Sequence, residues 1–351
     1  MQDPKIAIDQ DFLKLIAEID EFKGRWEALQ TMSPERLRQL RKVATIESIG
    51  SSTRIEGAKL TDMQVETLLS HLGTTTFRTR DEQEVAGYAE AKDLIFQAWE
   101  DMTVTENHIR QLHQVLLLHS AKDERYRGDY KKLPNHVVAI DEHGREIGVV
   151  FETATPLDTS REMEELVRWV NKAVAERSLH PLLIVAVFTV VFLAIHPFQD
   201  GNGRLSRILT TLMLLRAGYS YMPYASLESV VEDNKDSYYR ALRRTQTTLK
   251  RETPDWEPWV GFFLRCLRKQ KSNLAAKVET ARAAGDRDWA LPVISIQVLA
   301  LLGEQGRLTI TEMVKHTGTN QNTLKVRLRE LVSAGRIQRH GKARATWYSL
   351  G

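Results

Sequence analysis

Cysteine is nearly absent from this chain of 351 residues, whose sole thiol belongs to Cys266. A single cysteine excludes a disulfide within the chain, so the fold depends on its core rather than on cross-links. We expect Cys266 to be a small buried residue of a helix over about 259–269, because unpaired thiols are usually buried. Such sparse cysteine is typical of proteins of the reducing cytoplasm.

Long apolar runs are also missing. The longest, residues 182–195, has fourteen residues and contains Thr189, which makes it too short to span a bilayer. Residues 1–11 lack the basic flank and apolar stretch of a secretory signal. We therefore expect a cytoplasmic protein with no membrane partner, in which residues 182–195 form a central buried helix.

The chain has no large excess of charge, no internal repeat and no low-complexity tract. It contains 49 Lys and Arg against 46 Asp and Glu, and 42% of its residues are hydrophobic. These proportions are typical of a globular protein, and the length indicates two or three structural units.

The segment that follows the apolar run combines residues suited to catalysis, metal binding and anion binding. Residues 196–207 read His-Pro-Phe-Gln-Asp-Gly-Asn-Gly-Arg-Leu-Ser-Arg. The imidazole of His196 can accept a proton from a hydroxyl at neutral pH, which makes it a candidate general base. Asp200 offers the hard carboxylate oxygen that Mg²⁺ prefers. Gly201 and Gly203 lack Cβ atoms, so with Asn202 their N–H groups can form an anion-binding nest.

Two arginines complete this phosphate-binding pattern. Arg204 and Arg207 lie three residues apart at the start of a helix predicted over about 205–216, where their guanidinium groups could contact successive phosphates. The alternative interpretation is a tight Asn-Gly turn, with His196 in the core and the arginines on a solvated face. The co-occurrence of a base, a metal ligand and two anion receptors favours the phosphate site.

This segment resembles the signature of the Fic family, His-Pro-Phe-x-Asp-Gly-Asn-Gly-Arg-x-x-Arg, at every defined position. The resemblance implies an all-α core with a short β-hairpin flap, and AMPylation, the transfer of AMP from ATP to a Ser, Thr or Tyr hydroxyl of a protein. It implies that His196 is the base and that Asp200 binds Mg²⁺, with Mn²⁺ as an alternative. Residues 201–203 would then form the anion hole, and Arg204 and Arg207 would contact phosphates.

A second pattern lies upstream, at the end of a helix predicted to begin at Pro34 and to be interrupted at Gly50. Ser52 and Glu56 are four residues apart and share a helix face, and Gly57 can end the helix in a left-handed conformation. Taken alone, this is an ordinary solvated helix face. It also resembles the inhibitory helix of many Fic proteins, Ser/Thr-x-x-x-Glu-Gly, which implies that Glu56 pairs with Arg207 and occupies the γ-phosphate position.

Two further regions follow from the pattern and the resemblance. Residues 137–140 and 146–151 are short apolar segments that flank a Gly-containing turn, which predicts a β-hairpin. The resemblance implies that this hairpin, residues 136–151, is the flap, and its tip carries Asp141, Glu142 and His143. In the family the flap holds the target by strand addition. Tyr238 resembles a position near the adenine, and Gln246, two helical turns later, is a further candidate for nucleotide contact.

The C-terminal segment has a different charge. Residues 289–351 contain nine Lys and Arg and three Asp and Glu, a net charge of +6. Predicted helices near 296–302, 309–316 and 320–334, followed by two strands, resemble a winged helix. For DNA the base-reading candidates are Gln321, Asn322, Thr323, Lys325 and Arg329, with Lys342 and Arg344 on the wing. The alternative is a module for protein docking or dimerisation.

We therefore expect a mainly α protein in four regions: residues 1–110 with the inhibitory helix at about 51–57, a Fic core at 111–265, a linking helix at 266–288 and a winged helix at 289–351. The expected function is Mg²⁺-dependent AMP transfer from ATP to a target protein and to the chain itself. The alternatives are a DNA-binding regulator whose core senses nucleotide, and an enzyme that also removes AMP. Expected partners are ATP, the target, DNA or protein at the winged helix, and a second copy in a homodimer.

Overall fold

The computed structural model describes residues 3–28, 34–72, 77–140, 146–283, 292–341 and 346–351. The chain divides into two compact units, residues 1–275 and 276–351. The first unit is helical apart from one hairpin, and the second combines helices with a small three-stranded sheet. The expected fold class, mainly α with a hairpin and a C-terminal winged helix, is confirmed.

The elements of the first unit follow in chain order. Its helices are α1 (Gln10–Ala28), α2 (Pro34–Ile55), α3 (Asp62–Leu69), α4 (Arg80–Ala98), α5 (Glu106–Leu116), α6 (Pro156–Glu176), α7 (Pro181–Ile195), α8 (Asn202–Arg216), α9 (Leu227–Asp233), α10 (Lys235–Gln246) and α11 (Glu257–Ala283). Residues 276–283 at the end of α11 belong to the second unit. Its strands, β1 (Val137–Ile140) and β2 (Glu146–Phe151), lie between α5 and α6.

Helix α7 is the buried centre of this unit, as its composition predicts. It begins with Pro181 in the first turn, where the missing N–H costs no hydrogen bond. Helices α6, α8 and α10 pack against it, and Trp259 donates a hydrogen bond to the Ala186 carbonyl at 2.7 Å. Cys266 is buried as expected.

Helix α2 corrects one expectation. The helix does not break at Gly50 but continues to Ile55. A Cβ at Gly50 would lie 2.6 Å from both Arg54 Nη1 and Asp62 Oδ1. The glycine therefore makes room for the Arg54 side chain on the helix surface, and its lower helix propensity is the cost of that contact.

Helix ends follow local capping chemistry. The Thr105 hydroxyl caps α5 by accepting a hydrogen bond from the His108 N–H at 3.1 Å. The motif helix α8 begins at Asn202, three residues before the predicted start, because Gly201 adopts the left-handed conformation and serves as its N-cap. No side chain caps this helix.

The predicted hairpin is present, with β1 antiparallel to β2 from Val137 opposite Phe151 to Ile140 opposite Glu146 and two register irregularities between them. Its predicted tip residues, Asp141, Glu142 and His143, lie outside the described residues.

The second unit contains α12 (Val293–Gln305), β3 (Arg307–Thr309), α13 (Ile310–Thr317), α14 (Gln321–Ser333), β4 (Ile337–His340) and β5 (Trp347–Leu350). Strand β5 lies between β3 and β4, so the short strand β3, which the sequence pattern does not reveal, completes the sheet. Leu302, Leu324, Leu328 and Tyr348 are buried in its core.

The expected linking helix over 266–288 is not a separate element. Residues 266–283 continue α11, and residues 284–288 lie outside the described residues. Across the part of the chain that the structure describes, no helix is long and apolar enough to span a membrane.

The crossing of α4 and α5 generates a stability prediction. A Cβ on Gly87 would overlap the backbone carbonyl oxygen of Leu116, so we expect Gly87→Ala to destabilise the protein by about 1–3 kcal/mol. The control is Gly24→Ala on α1, where nothing lies within 4 Å of the new methyl group; it should stabilise by about 0.5–1 kcal/mol. Urea unfolding measures both, and equal stability of Gly87→Ala and wild type would contradict the close crossing.

Candidate active site

His196 is held at the end of α7 in a rare backbone conformation. It has φ of +53°, unusual for a residue with a side chain, and its N–H bonds the Phe192 carbonyl. The Nδ1 atom lies 3.3 Å from the Leu193 carbonyl oxygen, which can only accept. Nδ1 therefore carries the proton of the neutral ring, and Nε2 is left as the basic nitrogen.

The environment keeps this imidazole unprotonated at neutral pH. Burial lowers the pKa of His196 to about 4, and the ammonium of Lys131 acts in the same direction. The carboxylates of Glu56 and Asp200 oppose this effect. A neutral imidazole with a free Nε2 is the form that a general base requires.

The loop after His196 is fixed by Asn202 from inside. Its side-chain oxygen accepts from the Phe198 N–H at 2.9 Å, and its amide donates to the Phe198 carbonyl at 2.6 Å. The Asn202 amide is thus used in shaping the loop, while the first N–H groups of α8 have no side-chain cap. An uncapped helix N-terminus is a suitable place for a phosphate.

Asp200 lies between two guanidinium groups. Arg80 Nη2 is 2.7 Å from Oδ2, and Arg204 Nη2 is 3.3 Å from Oδ1. Burial would raise the pKa of Asp200, but Arg204, the Gly201 N–H and Arg80 hold it below its ordinary value. The group is therefore an ionised carboxylate beside an uncapped helix N-terminus, and Mg²⁺ typically binds through one or two carboxylates alongside substrate phosphates. Among the described residues, no cluster of three or more potential metal ligands occurs.

The two motif arginines have different surroundings. Arg204 is buried, and its guanidinium lies between Asp200 and Glu84, with Nη1 3.4 Å from Glu84. Arg207 instead faces α2: its Nε donates to the Ser52 hydroxyl at 2.8 Å and its Nη2 to the Ser52 carbonyl at 2.9 Å.

Glu56 completes the contact with Arg207. Its Oε1 atom lies 2.8 Å from Arg207 Nη2. Burial alone would lower the pKa of Arg207, but the Glu56 carboxylate raises it above its ordinary value. The chain turns immediately after Glu56, where Gly57 has φ of +107°.

Gly203 makes this arrangement possible. A Cβ at this position would overlap the Glu56 carboxylate. The carboxylate of Glu56 therefore lies directly over the first turn of α8, where the resemblance places a nucleotide phosphate.

Family comparison covers both units. The Fic/DOC family model matches residues 103–214, and a winged helix-turn-helix DNA-binding model matches residues 293–338. The first range contains the whole motif. Residues 103–214 form a Fic/DOC-family domain.

Comparisons with curated proteins agree with this Fic domain. The protein adenylyltransferase Fic of Drosophila grimshawi is 27% identical over 256 residues, which cover 72% of this chain and 47% of that protein. Its counterpart in Drosophila ananassae is 28% identical over 255 residues, covering 72% and 46%. The chain thus spans about half the length of these curated relatives.

Solved structures extend the similarity. The crystal structure of a Fic family protein from Desulfovibrio desulfuricans has a TM-score of 0.64 at 25% identity and covers 100% of this chain and 98% of that chain. A Fic domain containing signaling protein from Bacteroides thetaiotaomicron has a TM-score of 0.60 at 26% identity, covering 73% and 95%.

The two adenine candidates separate in the structure. Tyr238 is buried beside Arg207, where both line a cavity of about 30 Å³. Gln246 does not line this cavity and lies about 12 Å further along α10. The structure thus brings Tyr238, but not Gln246, to the arginine; an adenine contact by either stays a prediction.

Sequence reasoning missed His113, which supports the motif loop of the Fic domain. The Gly128 N–H donates to Nδ1 at 2.9 Å, so the proton of the neutral ring is on Nε2, 3.0 Å from the Asp200 carbonyl. The ring also stacks on Phe198 at 3.8 Å. These partners are far apart in the sequence, so no local pattern identifies them.

The candidate DNA-binding residues lie in the second unit. Gln321, Asn322, Lys325 and Arg329 are exposed on α14, and Thr323 is half-buried. The wing candidates Lys342 and Arg344 lie outside the described residues.

His113 generates a prediction for stability against pH. Burial lowers its pKa to about 4, whereas an unfolded histidine titrates near 6.5. The unfolded chain therefore binds more protons between these values, and stability falls as the pH drops. We expect His113→Phe to be less stable than wild type at pH 7, and to lose about 2 kcal/mol less than wild type between pH 7 and pH 5.

Urea unfolding at the two pH values measures the difference. Gln111→Ala, at an exposed position of the same helix, is the control and should keep the wild-type pH dependence. A His113→Phe variant with the wild-type dependence would show that His113 is not buried in its neutral form.

Proposed function

We propose that this chain is a protein adenylyltransferase that transfers AMP from ATP to a Ser, Thr or Tyr hydroxyl of a target protein and of the chain itself. The observation that carries the proposal is the junction of His196, Asp200 and the uncapped start of α8 in one loop. A module that only senses nucleotide would not require a base with a free Nε2. The names of the Drosophila relatives support the same reaction class.

The chemistry follows from the positions of these groups. The target hydroxyl gives its proton to His196 Nε2 as its oxygen attacks the α-phosphorus of ATP. A bond forms between that oxygen and phosphorus, the bond to the β-phosphate oxygen breaks, and pyrophosphate leaves. Backbone N–H groups at the start of α8 stabilise negative charge on the phosphates. Asp200 would hold Mg²⁺, which neutralises phosphate charge when bound.

The flap has a place in this scheme. Lys131 and Asn135, just before β1, hydrogen-bond the carbonyls of residues 195–198 in the motif loop, and a free strand edge can pair with an extended segment of another protein. We propose that the target presents its hydroxyl to His196 in this way.

Glu56 would suppress the reaction. It occupies Arg207 and lies over Gly203, so a γ-phosphate cannot take the same position at the same time. At an effective dielectric constant of 20, a carboxylate and a guanidinium at 4 Å attract by about 4 kcal/mol, sufficient to favour an unproductive pose of ATP. We therefore propose that the enzyme is autoinhibited by α2.

Autoinhibition by Glu56 is tested by incubating the protein with α-labelled ATP and Mg²⁺ and following label on the protein by gel and mass spectrometry. Glu56→Gly should incorporate at least about tenfold more label than wild type, since removing a competing charge of a few kcal/mol changes populations by that factor or more. Glu56→Gln keeps the size and removes the charge, so it should fall between them.

His196→Ala in the Glu56→Gly background is the chemical control and should remove the label. Equal labelling of Glu56→Gly and wild type would contradict the inhibitory role of Glu56. Absence of label from every folded variant, with or without candidate target proteins, would contradict the transferase assignment.

We propose DNA binding as a second function, carried by the second unit. The match to a winged helix-turn-helix DNA-binding model and the exposed polar and basic side chains of α14 favour it. In such modules the second helix of the pair reads the major groove, and basic side chains contact phosphates.

The prediction is that the double variant Lys325→Ala/Arg329→Ala weakens DNA binding and lowers the slope of log affinity against log salt by about one for each lost phosphate contact. Lys14→Ala, which removes an exposed charge from α1, should leave both unchanged. Affinity that does not fall with rising salt would favour the docking alternative.

A further inference from the structure

The loop that carries His196 is held by side chains from the base of the flap. Asn135 Nδ2 donates to the carbonyls of His196 at 3.3 Å and Phe198 at 2.6 Å. The backbone N–H of Lys131 donates to the Pro197 carbonyl at 2.8 Å, and its Nζ donates to the Ile195 carbonyl at 3.0 Å. Four consecutive carbonyls of this loop therefore accept hydrogen bonds from two residues of one segment.

The same two residues connect both ends of the hairpin. Lys131 and Asn135 precede β1, and Thr153 follows β2. Lys131 Nζ donates to Asn135 Oδ1 at 2.8 Å and to the Thr153 hydroxyl at 2.9 Å, and the Thr153 hydroxyl donates to Asn135 Oδ1 at 3.1 Å. We call Lys131, Asn135 and Thr153 the flap clamp.

The charge in this clamp is costly for stability alone. Lys131 is 3% exposed, and among the side chains that the structure describes, the three acceptors of its Nζ are neutral oxygens. Burial lowers the pKa of Lys131 to about 8, with a weaker opposing effect from Glu162 on α6. A buried ammonium without an adjacent counterion is unfavourable unless its charge serves another purpose.

We propose that Lys131 and Asn135 are positioning residues for AMP transfer, tying both ends of the flap to the loop of the general base and setting the electrostatic environment of His196. The inference rests on the proposed function. Asn135 fixes the backbone of His196 relative to the flap on which the target would pair. Lys131 places a positive charge behind the imidazole, which disfavours a second proton on the ring.

Other charged groups also face His196. Glu56 on α2 and Asp200 on the motif loop favour its protonation, whereas Lys131 disfavours it. Removal of Lys131 therefore leaves two carboxylates without the opposing cation. The acid limb of the rate profile should then move to higher pH, because a larger fraction of the base is protonated at a given pH.

The experiment compares Lys131→Met, Lys131→Arg and Asn135→Asp in the Glu56→Gly background. Lys131→Met removes the positive charge, and Lys131→Arg retains it. Asn135→Asp leaves Lys131 in place and puts a carboxylate of similar size beside its ammonium, which neutralises the charge. The pKa of His196 is read by NMR of ¹⁵N-histidine-labelled protein, with His196→Ala assigning its signals, and AMP transfer is followed from pH 5 to pH 9. The NMR titration is also recorded in the wild-type background, where Glu56 is present.

We expect Lys131→Met to raise the pKa of His196 in both backgrounds and to lower transfer at neutral pH by about 10- to 100-fold, the loss that follows from a misplaced base. The loss should grow toward pH 5, where more of the base is protonated in the variant. Lys131→Arg retains the positive charge and should leave the pKa of His196 at the value found with Lys131. Asn135→Asp should raise the pKa of His196 as Lys131→Met does, so the proposal can still be tested if the methionine variant does not fold.

An unchanged pKa of His196 in a folded Lys131→Met or Asn135→Asp variant would overturn the proposal, as would a folded Lys131→Arg variant that behaves like the methionine. If no variant transfers AMP but the pKa responds as expected, the proposed function fails while the electrostatic part of the clamp stands.

Discussion

The guanidinium of Arg207 is buried at the meeting point of α2 and α8, where a positive charge requires a negative partner. In this structure the carboxylate of Glu56 is that partner, at 2.8 Å. The hydroxyl and carbonyl oxygens of Ser52 accept two further hydrogen bonds from the guanidinium. Under the proposed function, a nucleotide phosphate is the other anion that would take this place at the start of α8. Inhibition and substrate binding would then be alternative ways of satisfying one buried charge, and a single carboxylate would control the site.

That control depends on how firmly α2 is held. Arg54 forms a two-point ion pair with Glu232, at 2.6 and 2.9 Å, and also bonds Asp62 at 2.9 Å. Deeper in the unit, Glu228 accepts from Lys92 at 2.7 Å and from Tyr88 at 2.9 Å. Burial would raise the pKa of Glu228, but Lys92 keeps it below its ordinary value. A buried hydrogen-bonded network such as the one around Glu228 favours one arrangement of the helices over others.

Local chemistry in the sequence predicts much of this. The apolar run predicts α7, the two short apolar segments around a Gly-containing turn predict the hairpin, and the motif marks His196 and Asp200 at the loop before α8. What the sequence could not show are contacts between distant segments. A glycine alone suggests a break in the helix, and the role of Gly50 becomes visible only in the structure because it depends on the packing of Arg54. Lys131 looks like an ordinary surface lysine in the sequence, but the fold buries it at the base of the flap. His113 is invisible for the same reason.

Competition between Glu56 and the γ-phosphate for Arg207 can be measured by calorimetric titration of ATP and ADP with Mg²⁺ into wild type and Glu56→Gly. Only ATP has the γ-phosphate, so loss of Glu56 should increase ATP affinity more than ADP affinity. An equal gain for both nucleotides, or none for either, would contradict it.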